Sequence, residues 1–312
     1  MMETLQVLRG SLLLLLLVAG VCIDGYKPVI IIHGLFDGPK QFQTLSQYIR
    51  KDNSYNTLQL FNSFLLFLNS QAHPGTEVTT IDIYDDKASV APLWVQIEGF
   101  SDKLTSIMNK SPNGVHLLCF SQGGVICRAL LSTIPNHNVH TFIALSSPLA
   151  GQYGETEYLS QEFGASVKTE VHPLCYNKLG QLLSICNYWK DPHHMSDYLQ
   201  HNNFLPLLDG EKPHKDMEAW RENFLRIKKL VLIGGPDDGV ITPWQSSHFG
   251  FYDSNENVVE MRDQEFYKKD NFGLKTLDDH GDVSVCVRTG VKHTEWHSDY
   301  KVFSSCIEKW LI

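Results

Sequence analysis

This chain contains three side-chain types that together can carry out acyl transfer. In chain order they are a serine, two adjacent aspartates and a late histidine. The serine is Ser121, in the stretch Cys119-Phe120-Ser121-Gln122-Gly123, between a strand-like apolar run and a helix-like one. A serine at such a junction lies on a sharp turn that raises its hydroxyl above the sheet edge and directs the next backbone N–H to the same space. Ser121 is therefore the candidate nucleophile.

The pattern around Ser121 departs from the usual G-x-S-x-G at one position. Gly123 is present downstream, whereas Cys119 stands where the upstream glycine is expected. Glycine is favoured at both positions because strand and helix pack so closely that a larger side chain would collide. Taken alone, the motif also fits an inert serine in an ordinary turn, so the rest of the chain must supply its partners.

The acid and the base that a serine nucleophile needs are expected after later strands. A late apolar run leads into Asp237 and Asp238, and either carboxylate could hold the base histidine or merely build the turn. The base should lie in a loop after the last strand, where His293 fits best and His280 and His297 are rivals. The segment from His293 to His297 reads H-T-E-W-H, which fails the H-E-x-x-H pattern, and no third ligand is evident, so we predict no metal and no other cofactor.

A loop after the first expected strand could stabilise an oxyanion. An apolar run at residues 27–32 ends in His33-Gly34-Leu35. In serine hydrolases of the α/β type, such a loop supplies one backbone N–H, and the residue after the nucleophile supplies the other. We assign these two N–H groups to Leu35 and Gln122. His33 ends a strand and precedes the serine, so we expect it to be structural.

Strand-like and helix-like patterns alternate along the chain. Strands are expected at residues 27–32, 78–84, 115–120, 139–145, 229–233 and 283–287, and helices at 42–50, 92–108, 125–131 and 299–311. This alternation predicts a mostly parallel sheet flanked by helices, and the order serine, aspartate, histidine is that of the α/β-hydrolase fold. Between residues 150 and 226 the strand pattern stops and aromatic residues collect, which indicates a cap over an apolar site.

The N-terminus predicts export from the cytosol. Arg9 is followed by an unbroken apolar core at residues 11–18 and then by small residues up to Gly25, as in a secretory signal peptide. We expect residues 1–24 to be removed, residues 25–312 to form one domain and no stable membrane insertion, because the apolar core is short for a span. A formal charge of −9 without a basic block argues against a nucleic-acid partner.

Cysteine usage agrees with an oxidising compartment. Of seven cysteines, Cys22 lies near the expected cleavage site, and an even set is left at Cys119, Cys127, Cys175, Cys186, Cys286 and Cys306. Six cysteines allow fifteen connectivities, but nearness in sequence favours the three consecutive pairs. The first of these pairs would fix the turn at Ser121 covalently.

Several blocks of the chain resemble the palmitoyl-protein thioesterase family. They are residues 26–37 (YKPVIIIHGLFD), 114–124 (GVHLLCFSQGG), 146–154 (SSPLAGQYG), 185–194 (ICNYWKDPHH), 231–252 (VLIGGPDDGVITPWQSSHFGFY) and 293–298 (HTEWHS). Together they span nearly the whole mature chain and are far more specific than a serine motif.

The resemblance implies a nucleophile at Ser121, an acid at Asp238 and a base at His293. It also implies the three disulfides between consecutive cysteines, and a lysosomal glycoprotein acting on long-chain acyl thioesters such as S-palmitoyl-CoA or S-palmitoylated peptides. Two features depart from the family pattern. Residues 51–71 look inserted, and the single N-glycosylation sequon, which begins at Asn109, is followed by Pro112.

Two other interpretations stay open. A serine, a histidine and an aspartate act alike on thioesters and oxygen esters, so the expected preference for thioesters comes from the resemblance and not from the triad. One alternative is a secreted carboxylester lipase or esterase. The other is a catalytically inactive protein of the same fold that binds acyl groups.

Overall fold

The computed structural model describes residues 26–50, 75–154 and 167–312. The expected signal peptide and the expected insertion at residues 51–71 lie outside the described residues. The strands are β1 (Val29–Ile32), β2 (Val78–Thr80), β3 (Val115–Phe120), β4 (Val139–Leu145), β5 (Lys229–Gly234), β6 (Phe251–Tyr252), β7 (Val258–Val259) and β8 (Val283–Val287).

Six of these strands form one parallel sheet in the order β2-β1-β3-β4-β5-β8. The inner strands are apolar on both faces, because in β1 Ile30 and Ile32 join one hydrophobic layer while Val29 and Ile31 join the other. Such burial is what a parallel sheet between two layers of helices requires. The α/β-hydrolase fold expected from the sequence is confirmed.

Helices cover both faces of the sheet. They are α1 (Gln43–Arg50), α2 (Leu93–Met108), α3 (Gln122–Thr133), α4 (Val167–Cys175), α5 (Ser184–Tyr188), α6 (Met195–His201), α7 (Leu205–Leu208), α8 (Met217–Phe224), α9 (Glu265–Lys268), α10 (Leu274–Asp279) and α11 (Tyr300–Val302). Apolar residues of α1 and of the C-terminal segment pack on one face, and those of α2, α3 and the helices from α4 to α10 pack on the other.

Two expected elements differ in the structure. The strand expected at residues 78–84 ends at Thr80, and Tyr84 takes a left-handed backbone conformation with φ of 59°. The helix expected at residues 299–311 is divided into α11, a π turn (Phe303–Ile307) and a 3-10 turn (Glu308–Trp310). Sequence periodicity identifies a helical region but does not reveal such changes of helical pitch.

The three disulfides between consecutive cysteines are confirmed. Cys119–Cys127 joins β3 to α3, Cys175–Cys186 joins α4 to α5, and Cys286–Cys306 joins β8 to the π turn near the C-terminus. Within residues 26–50, 75–154 and 167–312, no helix combines the length and the apolar character needed to cross a membrane.

Candidate active site

Ser121 lies at the junction of β3 and α3, with φ of 52° and ψ of −129°. Positive φ is uncommon for a residue with a side chain, and it holds the serine on a tight turn at the carboxyl end of the strand. The loop after β1 lies against this turn, because a Cβ built on Gly34 would be 2.8 Å from the Cβ of Ser121. This is the elbow that the sequence predicts.

The close contacts around the turn at Ser121 explain why the motif has a glycine downstream of the serine but not upstream. A Cβ on Gly123 would lie 2.4 Å from the carbonyl oxygen of His33 and 2.5 Å from that of Ile32, so only glycine fits there. On the upstream side Cys119 is fully buried, and its sulfur is bonded to Cys127 one turn into α3. The position that departs from G-x-S-x-G thus holds a cysteine whose disulfide links β3 to α3.

The structure brings Ser121, His293 and Asp238 together. Nε2 of His293 lies 2.9 Å from Oγ of Ser121, and Nδ1 lies 2.9 Å from Oδ2 and 3.1 Å from Oδ1 of Asp238. With the imidazole proton on Nδ1, the serine hydroxyl donates to Nε2 and the imidazole donates to the carboxylate. This arrangement can deprotonate Ser121 and stabilise the imidazolium that results.

The Asp238 carboxylate is buried and well supplied with hydrogen-bond donors. Its Oδ1 accepts the backbone N–H groups of Val240 at 3.0 Å and Ile241 at 2.8 Å. Burial by itself would raise the pKa of Asp238, but the charge and hydrogen bond of His293, with hydrogen bonds from Ser146 and Ile241, outweigh burial and lower that pKa. Asp238 therefore stays an anion facing the imidazole.

The rival candidates make other contacts. Asp237 is exposed, and its carboxylate accepts the N–H of Gly290 at 2.7 Å, which is the turn-building role considered for it. His280 is exposed just after α10. His297 packs against the rings of Phe42 and Phe120 at 5.2 Å, and burial, with the charge of His293, lowers its pKa to about 4.

His33 has the structural position expected of it. The side chain is buried, with Nδ1 3.0 Å from the carbonyl oxygen of Gly34 and Nε2 2.9 Å from that of Ile83. These contacts tie the loop after β1 to the segment after β2. The same loop places Leu35 on the wall of the cavity at Ser121, while Gln122 is the first residue of α3.

A cavity of about 360 Å³ opens beside Ser121 and His293. Its wall is largely apolar and includes Phe36, Phe120, Ile185, Tyr188 and Ile241. Ile185 and Tyr188 belong to α5, so the segment between β4 and β5 contributes directly to the cavity. A mostly apolar cavity with a few polar groups in its wall suits a ligand with a hydrocarbon chain and one reactive carbonyl.

Asp37 is the acidic residue in the wall of this cavity. Burial raises the pKa of its carboxyl to about 6, even though the charges of His33 and His293 act in the opposite direction. Asp37 is therefore largely protonated in acidic solution and ionised at neutral pH.

Sequence reasoning missed two further partners of Asp238. The hydroxyl of Ser146 donates to Oδ2 at 2.5 Å, and the indole N–H of Trp296 donates to the same oxygen at 2.6 Å. Ser146 follows β4 as Ser121 follows β3, and it also has positive φ, at 44°. Its place at the carboxyl end of a central strand is the signal that could have identified it.

Two further expectations concern the surface and metals. Asn109, the residue of the sequon, is exposed at the end of α2. Across the ranges that the structure describes, no group of three or more His, Cys, Asp or Glu residues is arranged to hold a metal ion.

Comparison with known proteins shows the family of this chain. The family model for palmitoyl protein thioesterase matches residues 28–293. A rat protein named lysosomal thioesterase PPT2 is 51% identical over 286 residues, which cover 92% of this chain and 88% of the rat protein. The Drosophila melanogaster protein named lysosomal thioesterase PPT2 homolog is 36% identical and covers 92% of each chain. A solved lipase of Bacillus licheniformis, 14% identical, aligns over 92% of this chain and 93% of its own with a TM-score of 0.47. The chain belongs to the palmitoyl protein thioesterase family.

Proposed function

We propose that this protein is a lysosomal thioesterase that hydrolyses long-chain fatty acyl thioesters through an acyl-enzyme on Ser121. The observation that carries the proposal is the hydrogen-bonded series Ser121, His293, Asp238, of which the first two line a mostly apolar cavity. Family membership supports the thioesterase activity, and the names of the rat and Drosophila relatives support the lysosomal location.

In the first step His293 takes the proton of the Ser121 hydroxyl while Oγ attacks the acyl carbonyl carbon. The N–H groups of Leu35 and Gln122 stabilise the oxyanion of the tetrahedral intermediate. Gln122 is suited to this because the first N–H groups of a helix have no partner within the helix, and α3 begins at this residue. Asp238 holds the imidazole and stabilises its charged form.

The tetrahedral intermediate then breaks its C–S bond. The thiol departs with a proton from His293 and leaves the acyl group on Oγ; since a thiol has a pKa of ~8.5, its departure needs little assistance. A water molecule activated by the same imidazole attacks the acyl carbon, and the fatty acid leaves as Ser121 regains its proton. Acylation and deacylation thus use the same three side chains.

The remaining features fit delivery to the lysosome. We propose that residues 1–24 are a cleaved signal peptide, that residues 25–312 form one hydrolase domain and that residues 150–226 act as its cap. Ile185 and Tyr188 in the cavity wall support the cap assignment. Cys119–Cys127, Cys175–Cys186 and Cys286–Cys306 suit folding in the oxidising secretory pathway.

The test compares palmitoyl-CoA with p-nitrophenyl palmitate, with Ser121→Ala as the blank. We expect serine-dependent turnover that favours the thioester, and mass spectrometry after brief incubation should find palmitate on the Ser121 peptide. Preference for the oxygen ester would instead indicate a carboxylester lipase. Equal rates for the wild type and Ser121→Ala would indicate an inactive acyl-binding protein.

A further inference from the structure

We propose that Ser146 and Trp296 are positioning residues for this reaction, which hold the Asp238 carboxylate against His293 and keep it ionised in acidic surroundings. The inference rests on the proposed function, because it concerns the same three side chains. It assigns a role to two residues that touch neither the substrate nor the reacting serine.

Three hydrogen-bond donors converge on one carboxylate oxygen of Asp238. Oδ2 of Asp238 faces the hydroxyl of Ser146 at 2.5 Å, the indole N–H of Trp296 at 2.6 Å and Nδ1 of His293 at 2.9 Å. Oδ1 receives the two backbone N–H groups of its own loop. An ionised carboxylate has about four lone-pair sites, so these five donors satisfy it completely. A protonated carboxyl could not accept all of them.

The two donors come from different parts of the fold. Ser146 directly follows β4, and its own N–H is bonded to the carbonyl oxygen of Ile233 in β5 at 2.7 Å. Trp296 lies three residues beyond His293 and is part of the hydrophobic layer shared with α1 and the C-terminal segment. Both side chains are fully buried, so water has no easy access to replace either donor. Asp238 is thereby held by strand, loop and C-terminal segment at once.

Loss of a donor should alter proton binding by the aspartate and histidine as a pair. With fewer hydrogen bonds the carboxylate is a stronger base, so the pair takes up a proton at higher pH. Protonation of the pair stops the reaction, because His293 can no longer accept the serine proton or be held by an anion. Of the other titratable groups, Asp37 and His297 interact with His293 through charge, His33 interacts with Asp37, and Asp237 precedes Asp238 in the chain. None of these changes in the proposed variants.

The test measures kcat and KM for palmitoyl-CoA from pH 4 to 8 in Ser146→Ala and Trp296→Phe. A hydrogen bond to a charged group is typically worth enough to change a rate about tenfold or more. We expect each variant to lower kcat about tenfold with little change in KM, and to move the acid limb of the kcat profile up by about one pH unit. Ser146→Gly is a second variant, because glycine adopts the positive φ of this position without strain.

Matched controls separate positioning from stability. Ser147→Ala removes the neighbouring buried hydroxyl, whose contacts are carbonyl oxygens of Cys119 at 3.5 Å and Leu145 at 3.4 Å. Trp310→Phe removes a half-buried indole on the same face of the sheet. Both controls should keep the wild-type acid limb, whatever their melting temperatures. In an Asp238→Asn background, Trp296→Phe should cause no further shift of that limb.

A lower kcat with an unmoved acid limb in both Ser146 variants and in Trp296→Phe would overturn the inference and leave these residues a structural role only. Failure of the proposed function is a separate result, since the wild type itself would then not hydrolyse palmitoyl-CoA. In that case the pH dependence of Ser121 labelling by a fluorophosphonate replaces turnover as the readout. The same shift is expected there, and its absence would again overturn the inference.

Discussion

Replacing Gly123 by alanine should distort the turn that carries Ser121, because the new methyl group would collide with backbone atoms of the loop after β1. The new methyl group would lie 2.4 Å from the carbonyl oxygen of His33 and 2.5 Å from that of Ile32. Ordinary contacts of a Cβ atom begin at 3.4 Å, so α3 would have to withdraw from the chain at Ile32 and His33 by roughly 1 Å. Neither oxygen can yield easily, because Ile32 is paired with Cys119 of β3 and the buried side chain of His33 is bonded to the carbonyl oxygen of Ile83.

The consequences for stability and chemistry can be estimated separately. Forcing an extra methyl into a packed backbone contact should lower the free energy of unfolding by about 3 kcal/mol. In the molecules that still fold, a displacement of this size carries Ser121 away from Nε2 of His293, and misplacement by about 1 Å can reduce a rate about 100-fold. We therefore expect Gly123→Ala to be less stable and also nearly inactive per folded molecule.

The assay pairs thermal unfolding with the rate at which a fluorophosphonate labels Ser121. Gly281→Ala is the matched control, because its methyl would meet nothing within 4 Å and only the positive φ of 77° opposes it, at a cost of about 1 kcal/mol. The control should label at the wild-type rate. If Gly123→Ala unfolded near the wild-type temperature and labelled Ser121 equally fast, the steric account of the elbow would be wrong.

Three further predictions concern the acid, the cavity and the cross-link. Asp238→Asn should lower kcat for palmitoyl-CoA about 10⁴-fold, while Asp237→Asn should change it less than about threefold. The reason is that, of these two aspartates, only Asp238 contacts His293. Equal losses of kcat in the two variants would contradict the assignment. The pKa of Asp37 is raised from 3.8 to about 6, so the folded protein binds a proton at this carboxyl more tightly than the unfolded chain does. The free energy of unfolding therefore falls as the pH rises from 4 to 6. Asp37→Asn should therefore stabilise the protein by about 1–2 kcal/mol at pH 7 and hardly at all at pH 4, measured by urea unfolding; a pH-independent difference would refute this. Replacing Cys119 and Cys127 by alanine should lower the free energy of unfolding by about 2.5 kcal/mol, also measured in urea, and an unchanged midpoint would show that the cross-link does not constrain the unfolded chain.

The central strands were predictable because each is a short apolar run bounded by polar or turn-forming residues. The strand β3 and the serine after it could be identified from residues 115–124 alone. The choice between Asp237 and Asp238 was different, because the residues themselves favoured neither. In the structure one carboxylate is buried against the imidazole and the other is exposed, and burial is a property of tertiary packing.

Ser146 and Trp296 show where sequence reasoning stopped. Ser146 is 92 residues and Trp296 is 58 residues from Asp238 in the chain, and neither belongs to a motif that names its partner. Serine is common after strands and tryptophan is common in hydrophobic layers, so composition gives no reason to pair them with a carboxylate. These contacts can be recognised only in the folded structure, where β4, β5 and the C-terminal segment come together at one edge of the sheet.

The disulfide Cys286–Cys306 brackets the segment that carries His293. A lysosome is rich in proteases, and the stretch between these cysteines includes exposed residues such as Thr289 and Lys292. A single cut there divides the chain but does not release a fragment, because both new ends remain joined through sulfur to the edge of the sheet. A cut in this loop would therefore leave the piece that carries His293 covalently joined to the rest of the protein.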